Sequence, residues 1–399
     1  MKTFQTSSAH ILELADRCVK CGLCLPQCPT YNLNSNENES PRGRIALVQG
    51  WLGGDLSPSK ILVQHLDQCL LCRRCERVCP SQVPYAEIMD ESRALLLQEA
   101  SHRHSLKQKI TNYSLKLLIH KKFSVILFNF LRLLQKTRIL SFAKKIGVFS
   151  LFGITRLTSY LPELKKPFKA KPFYPALIDS NKSVILFTGC MSKQLEPSTI
   201  ISSIKLLNRL GYGVHIPEQT CCGALHLHEG NKAGASELAN SNIKSFNAYE
   251  NIDAIISLVN GCSAQLKEYE QLEIDTPFNT ETKDIIEFLS EVEWPTDISF
   301  KPFNKKASLQ IPCSLQNTLR AEDKLLKLVQ RIPGLSIDTS YNECCGAAGS
   351  YFLKQPQLSD QLKQRAFKHL TKANPDYIIS SNLGCALQLQ SSLSTEKSS

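Results

Sequence analysis

The chain has 399 residues, 16 of them cysteine, and 42% of it is apolar. That length supports two or three domains with cores of their own, without disulfides to hold them together. The formal charge of +11 does not argue for a nucleic-acid partner, because residues 102–172 alone carry 16 Lys or Arg against one acid, Glu163, leaving the remainder net acidic.

The opening stretch, MKTFQTSS, has no apolar run behind its lysine, so a secretory leader is not expected and the reading is cytoplasmic. Among reducing thiol buffers, clustered cysteines bind metal or do redox work. The first cluster is Cys18, Cys21, Cys24 and Cys28-Pro29; Cys69, Cys72, Cys75 and Cys79-Pro80 repeat its spacing, C-x2-C-x2-C-x3-C-P. Bacterial two-cluster ferredoxins hold [4Fe–4S] clusters with this run. Three thiolates at i, i+3 and i+6 wrap one loop around three irons, and the fourth, opening a helix that leads away, ligates the other cluster. The expected ligand sets are Cys18, Cys21, Cys24 and Cys79 for cluster one, and Cys28, Cys69, Cys72 and Cys75 for cluster two. Zinc fits less well, since three cysteines in one tight loop over-supply a tetrahedral ion. The 40 residues between the motifs point to a helix-rich module over residues 1–95.

Residues 96–180 read as a basic helical segment followed by a proline-rich linker, LPELKKPFKAKPFYP. Its longest apolar run, residues 123–134, is 12 residues with Arg132 inside, against the roughly 20 needed to span a membrane. The mixture of cations and large apolar residues predicts an amphipathic platform over 102–172 that docks a partner or a lipid surface.

The rest alternates β-branched runs with helical patterns, an α/β habit, and it is a tandem repeat. Cys190, Cys221, Cys222 and Cys262 recur as Cys313, Cys344, Cys345 and Cys385, each 123 residues on, and Gly211, Gly223, Asp253, Gly261 and Gln265 keep the same offset. Repeat 1 is placed at 181–297 and repeat 2 at 298–395. Buried strands are expected at 184–188, 254–258, 308–311 and 377–380, with the first and last cysteine of each repeat following a strand end, where α/β sheets collect their sites. The four thiols of each repeat leave three readings open: a further iron–sulfur cluster, a structural zinc, or reduced thiols without metal. His226 and His228 read as polar residues after a turn, and Gly211-Tyr-Gly213 as a turn, since no third glycine follows.

Several stretches resemble one family. The thiol sets around Cys190 and Cys313 resemble the CCG (cysteine-rich) domain of heterodisulfide reductase B subunits, lactate-utilisation proteins and glycolate oxidase iron–sulfur subunits. The usual closing cysteine is a glutamine here, Gln265 and Gln388, a departure shared with the glycolate oxidase branch. CPTYNL, ESPRGRIALVQG, HLDQCLLCRRCERVCPSQVPY, CCGALHLH, PCSLQN and CCGAAGSY, in that order, are similar to the iron–sulfur subunit of glycolate oxidase.

The resemblance implies an N-terminal two-[4Fe–4S] ferredoxin module joined to a C-terminal α/β tandem CCG repeat. It implies an electron-transfer subunit of an FAD-linked glycolate dehydrogenase, with FAD-binding partner subunits and a quinone-type acceptor, on the inner face of the plasma membrane where it is membrane-associated. No flavin motif and no acid–base constellation is present, so no catalytic residue is assigned and the flavin is expected on a partner. The alternatives are the iron–sulfur subunit of a lactate or glycerophosphate dehydrogenase, or a CCG enzyme of heterodisulfide-reductase type.

Overall fold

A computed structural model describes residues 2–100, 121–146, 156, 158, 160–178, 180–278, 280–340 and 343–396. The N-terminal region is a helical, ferredoxin-like unit built from α1 (Lys2–Asp16), α2 (Pro29–Asn34), α3 (Pro41–Leu52), α4 (Lys60–Asp67), α5 (Arg74–Arg77) and α6 (Tyr85–Ala100). Helix α1 buries Ile11, Leu14 and Ala15, the i, i+3, i+4 stripe of a helix with one apolar side. It packs on Ile45, Val48 and Trp51 of α3 and on Ile88, Met89, Leu95 and Leu96 of α6, and Cys69 and Cys75 are built into the same core. The start of α3 is fixed by Ser40, whose Oγ accepts the Gly43 N–H at 2.9 Å, with Pro41 as the first helical residue.

The two cysteine motifs leave their loops differently. Cys28 caps α2, with Pro29 in its first turn, as the spacing predicts. Cys79-Pro80 runs instead into a turn with Gln82 at φ 49°, and a helix resumes only at Tyr85. Pro84 accounts for the delay, because the residue before a proline is driven out of the helical region.

Helices α7 (Lys121–Lys136) and α8 (Ile139–Lys145) follow, separated at Arg138, φ 58°. Gln135 holds the pair to the proline-rich segment through Pro162 O (2.8 Å) and Leu164 N (2.9 Å). Residues 101–120 and 147–155, parts of the predicted basic platform, lie outside the described residues. Among the described residues no helix is long and apolar enough to cross a membrane.

The repeats form two sheets. The first has the order β1 (Phe173–Tyr174), β3 (Gly213–His215), β2 (Ser183–Phe187), β4 (Ala254–Ser257), β5 (Thr282–Asp284), parallel except for β1. The second has β7 (Leu335–Asp338), β6 (Lys305–Gln310), β8 (Tyr377–Ser380), all parallel. The order β7-β6-β8 repeats β3-β2-β4, so the duplication in sequence is a duplication in topology. Strand β2 is apolar on both faces because helices cover both. Val184 and Leu186 face a layer that includes Ile200, Ile204 and Leu207, while Ile185 and Phe187 face Ala235, Ala239, Ile243 and Phe246. Four strands lie where the apolar runs predict them. Strands β1, β3, β5 and β7, of two to four residues, were not anticipated.

Candidate metal centres

Each N-terminal motif turns through the left-handed region at two equivalent positions. Lys20 (φ 55°) and Leu71 (φ 51°) precede the second cysteine, and Gly22 (φ 85°) and Arg73 (φ 57°) follow it. A left-handed leucine costs on the order of 1 kcal/mol, and the packing around the loop holds it there. The turn brings Leu71 N–H within 3.4 Å of Cys69 Sγ.

The structure sorts the eight N-terminal cysteines into two groups. Cys18, Cys21, Cys24 and Cys79 line one recess of about 310 Å³, with Lys20 and Arg42 on its wall. Cys28, Cys69, Cys72 and Cys75 line a second of about 300 Å³, with Thr30, Arg44, Arg73, Arg74 and Tyr85. Each group takes three cysteines from one motif and the fourth from the other.

The two recesses differ electrostatically. Cys21 is exposed, whereas Cys28, Cys69 and Cys75 are buried. Burial pushes the Cys75 thiol well up, with the neighbouring Cys72 thiol adding to it, and Cys72 is raised by burial and then by Cys344. Tyr85 is also raised by burial, and its hydroxyl lies 3.6 Å from Cys69 Sγ. Burial alone would push the Arg44 guanidinium down, but Tyr85, Cys69, Cys28 and Glu39 around it hold it up. Four soft donors around one recess, with N–H, O–H and guanidinium groups in its wall, fit a multinuclear, negatively charged iron–sulfur group.

Each repeat gathers its four thiols beyond the strand ends. Cys190 Sγ lies 3.5 Å from Cys221 Sγ. Cys190 and Cys222, both in contact with Cys221, hold that thiol below its usual range, and their own are driven up. In repeat 2, Cys344 is held down in the same way by Cys313 and Cys345, and Cys345 also contacts Cys385. The turn that presents the paired cysteines needs glycine. Gly223 and Gly346 sit at φ 91° and 80°, and a Cβ on Gly346 would lie 2.7 Å from Ser359 O. The closing residues Gln265 and Gln388 are buried, and Gln265 Nε2 and Gln388 Oε1 have no hydrogen-bond partner among the described residues.

The repeats differ in their neighbours. Cys72 packs into one apolar cluster with Leu70, Cys344 and Tyr351, and Asn317 Nδ2 donates to Cys72 O at 2.8 Å. The second thiol set therefore abuts the buried N-terminal recess. Repeat 1 meets the N-terminal region through ion pairs: Lys232 with Glu91 (2.5 Å), His228 with Asp90 (3.3 Å), and Arg73, on the wall of the buried recess, with Glu268. His226 contacts Asn231. Both histidines lie in the short helix Ala224–His228 rather than in a turn, and His226 also helps to hold the Cys221 thiol down.

Two family models match the chain: a 4Fe-4S dicluster domain over residues 14–83 and a cysteine-rich domain over 184–267 and 307–390. The "Probable glycolate oxidase iron-sulfur subunit" of Bacillus subtilis (strain 168) is 31% identical, across 95% of this chain and 89% of the relative. The "Glycolate oxidase iron-sulfur subunit" of Escherichia coli (strain K12) is 30% identical, across 94% and 89%. Lactate utilization protein A of Shouchella clausii (strain KSM-K16) matches at 26% over 52% of this chain. With two four-cysteine recesses in its N-terminal region, a duplicated cysteine-rich α/β unit behind them and relatives of this kind along nearly its whole length, the chain belongs to the glycolate oxidase iron–sulfur subunit family.

Proposed function

We propose that this protein is the electron-transfer subunit of a glycolate-oxidising dehydrogenase, taking electrons from an FAD-bearing partner and passing them to a quinone-type acceptor. The observation that carries this reading is the sorting of eight cysteines into two four-thiol recesses. Cys18, Cys21, Cys24 and Cys79 would hold one [4Fe–4S] cluster, and Cys28, Cys69, Cys72 and Cys75 the other. Such clusters accept and return one electron at a time, which divides a two-electron oxidation into single steps. The chain's own part is to bind, to exclude water and to place charge. Leu71 N–H and the Tyr85 hydroxyl lie against Cys69 Sγ, and donors to a ligating sulfur favour the more reduced state.

Anaerobically purified protein is expected to contain roughly eight irons with matching sulfide and no flavin absorbance. Glycolate-dependent dye reduction is expected only when a flavoprotein partner is added. Iron beyond that amount would belong to the thiol sets of the repeats. A colourless protein carrying zinc alone would sink the cluster assignment, and glycolate oxidation by the isolated chain would sink the division of labour.

A quinone acceptor is a membrane molecule, and one surface suits a lipid boundary. Ile126, Phe130 and Leu133 of α7 and Ile139 and Phe142 of α8 are exposed, with Arg132, Lys136 and Arg138 among them. Each cation near anionic lipid contributes about 1 kcal/mol, and the apolar residues add burial. Co-sedimentation with phosphatidylglycerol vesicles is expected at low salt, weakening as salt rises and lost in the Ile126→Ser, Phe142→Ser double variant. No co-sedimentation at low salt would remove lipid from this reading.

A further inference from the structure

The turn that opens α3 carries two arginines two residues apart, and each meets a different recess. Arg42 lines the one formed by Cys18, Cys21, Cys24 and Cys79; Arg44 lines the one formed by Cys28, Cys69, Cys72 and Cys75. Their surroundings are unlike. The Arg42 side chain is 32% exposed, and it donates from Nε to Glu37 Oε1 (2.7 Å) and from Nη1 to Lys20 O (3.0 Å). The Arg44 side chain is 1% exposed. It pairs through Nη2 with Glu39 Oε2, and it donates from Nη1 to Glu39 O (2.6 Å) and Thr30 Oγ1 (3.2 Å) and from Nε to His65 O (2.8 Å).

The acid in this pair, Glu39, has a side chain 3% exposed; its backbone carbonyl lies 3.5 Å from Cys28 Sγ, while its carboxylate is held by Arg44. Its other oxygen meets His65 Nδ1 at 2.6 Å. Of the two charged side chains, it is Arg44 that lines the recess with the four thiols. Thr30 Oγ1, one of the groups Arg44 holds, lies 3.3 Å from Cys28 Sγ. A buried ion pair is often no better for stability than well-packed apolar residues of the same volume, so the pair's place beside the thiols is the feature to explain.

Given the cluster reading above, we propose that Arg44 raises the reduction potential of the centre held by Cys28, Cys69, Cys72 and Cys75 above that of the exposed centre. Each electron added to an iron–sulfur group adds a negative charge, and burial by itself disfavours that. A fixed cation at the wall offsets the cost. At an effective dielectric of about 20 a given charge acts roughly four times more strongly than in bulk water at about 80, so Arg44 outweighs the partly solvated Arg42. The electron delivered to the exposed centre then moves inward, towards the centre that abuts repeat 2.

The test is a potentiometric titration of the full chain, with both reduced centres followed by low-temperature EPR. Arg44→Met is expected to lower the midpoint of one signal only. Glu39→Gln is expected to raise the midpoint of that same signal, because it removes the countercharge and keeps the shape. Arg44→Lys is expected to hold it near the unmutated value, and Arg42→Met to move the other signal by less. A purely structural role would shift both Arg44→Met and Glu39→Gln in one direction, or neither, and that result overturns the proposal. If Arg44→Met does not retain the centre, Glu39→Gln decides by itself: an upward shift supports the proposal, and no shift or a downward one ends it. Fewer than two signals in the unmutated chain would instead be a failure of the cluster reading.

Discussion

Cys75→Ser is expected to leave the chain with about half its iron, roughly four atoms in place of eight, and to stop electron flow from the flavoprotein to the acceptor. Cys75 is buried in the same core as Trp51, Leu66 and Ile88, so the substitution acts twice. It replaces a soft thiolate with a poor ligand for iron. It also leaves a hydroxyl in an apolar core, which costs about 1–3 kcal/mol when no partner is found. Because binding a metal group is also folding free energy, the variant should melt well below the unmutated protein. Cys24→Ser, at a half-buried position, should lose the other centre and about the same iron with a smaller fall in melting temperature. Iron analysis, EPR and thermal melting of the two variants side by side check this. Equal losses of stability would contradict the difference in burial between the centres.

Gly43→Ala is expected to destabilise the N-terminal region by about 3–5 kcal/mol, at the upper end for a single substitution. A Cβ on Gly43 would fall 1.9 Å from Glu37 O and 3.1 Å from Ser40 Oγ. Neither can withdraw cheaply. Glu37 belongs to the short 3-10 turn Glu37–Glu39, and Ser40 is the cap that accepts from Gly43 N. Displacing that turn moves Glu39, and with it the partner of Arg44. Gly261→Ala is the control, since nothing lies within 4 Å of a Cβ there. It sits in the helix Asn260–Lys267, where alanine in place of glycine stabilises by about 0.4–1 kcal/mol. Chemical denaturation of both variants measures the pair, and a Gly43→Ala cost under about 1 kcal/mol would show that the turn yields easily.

Much of the architecture is legible in the chain. The strand at 184–187 is a continuous apolar run because both its faces are covered, and the constant 123-residue offset carries the duplication into the two sheets. The grouping of the N-terminal thiols around two recesses is the one the spacing leads one to expect, although only Cys28, and not Cys79, opens the helix on which that expectation rests. Two things were harder to read. Arg44 looks like one more cation in a basic chain. Its signal is periodicity: 44, 48 and 51 are i, i+4 and i+7 on α3, and Val48 and Trp51 are buried. The approach of Cys72 to Cys344 has no such signal, because it joins positions 272 apart through tertiary packing alone.

That approach bears on the history of the repeat. A tandem duplication starts with two interchangeable copies, and either is free to change while the other keeps the original role. Here the copy containing Cys344 is committed, because Cys344 shares packing with Cys72 and a change there is felt at the neighbouring recess. The thiols of the copy containing Cys221 pack within their own α/β unit, and that copy reaches the N-terminal region through half-buried ion pairs, Lys232–Glu91 and Arg73–Glu268. Equal at birth, the two halves carry unequal constraint, and divergence has more room in the first than in the second.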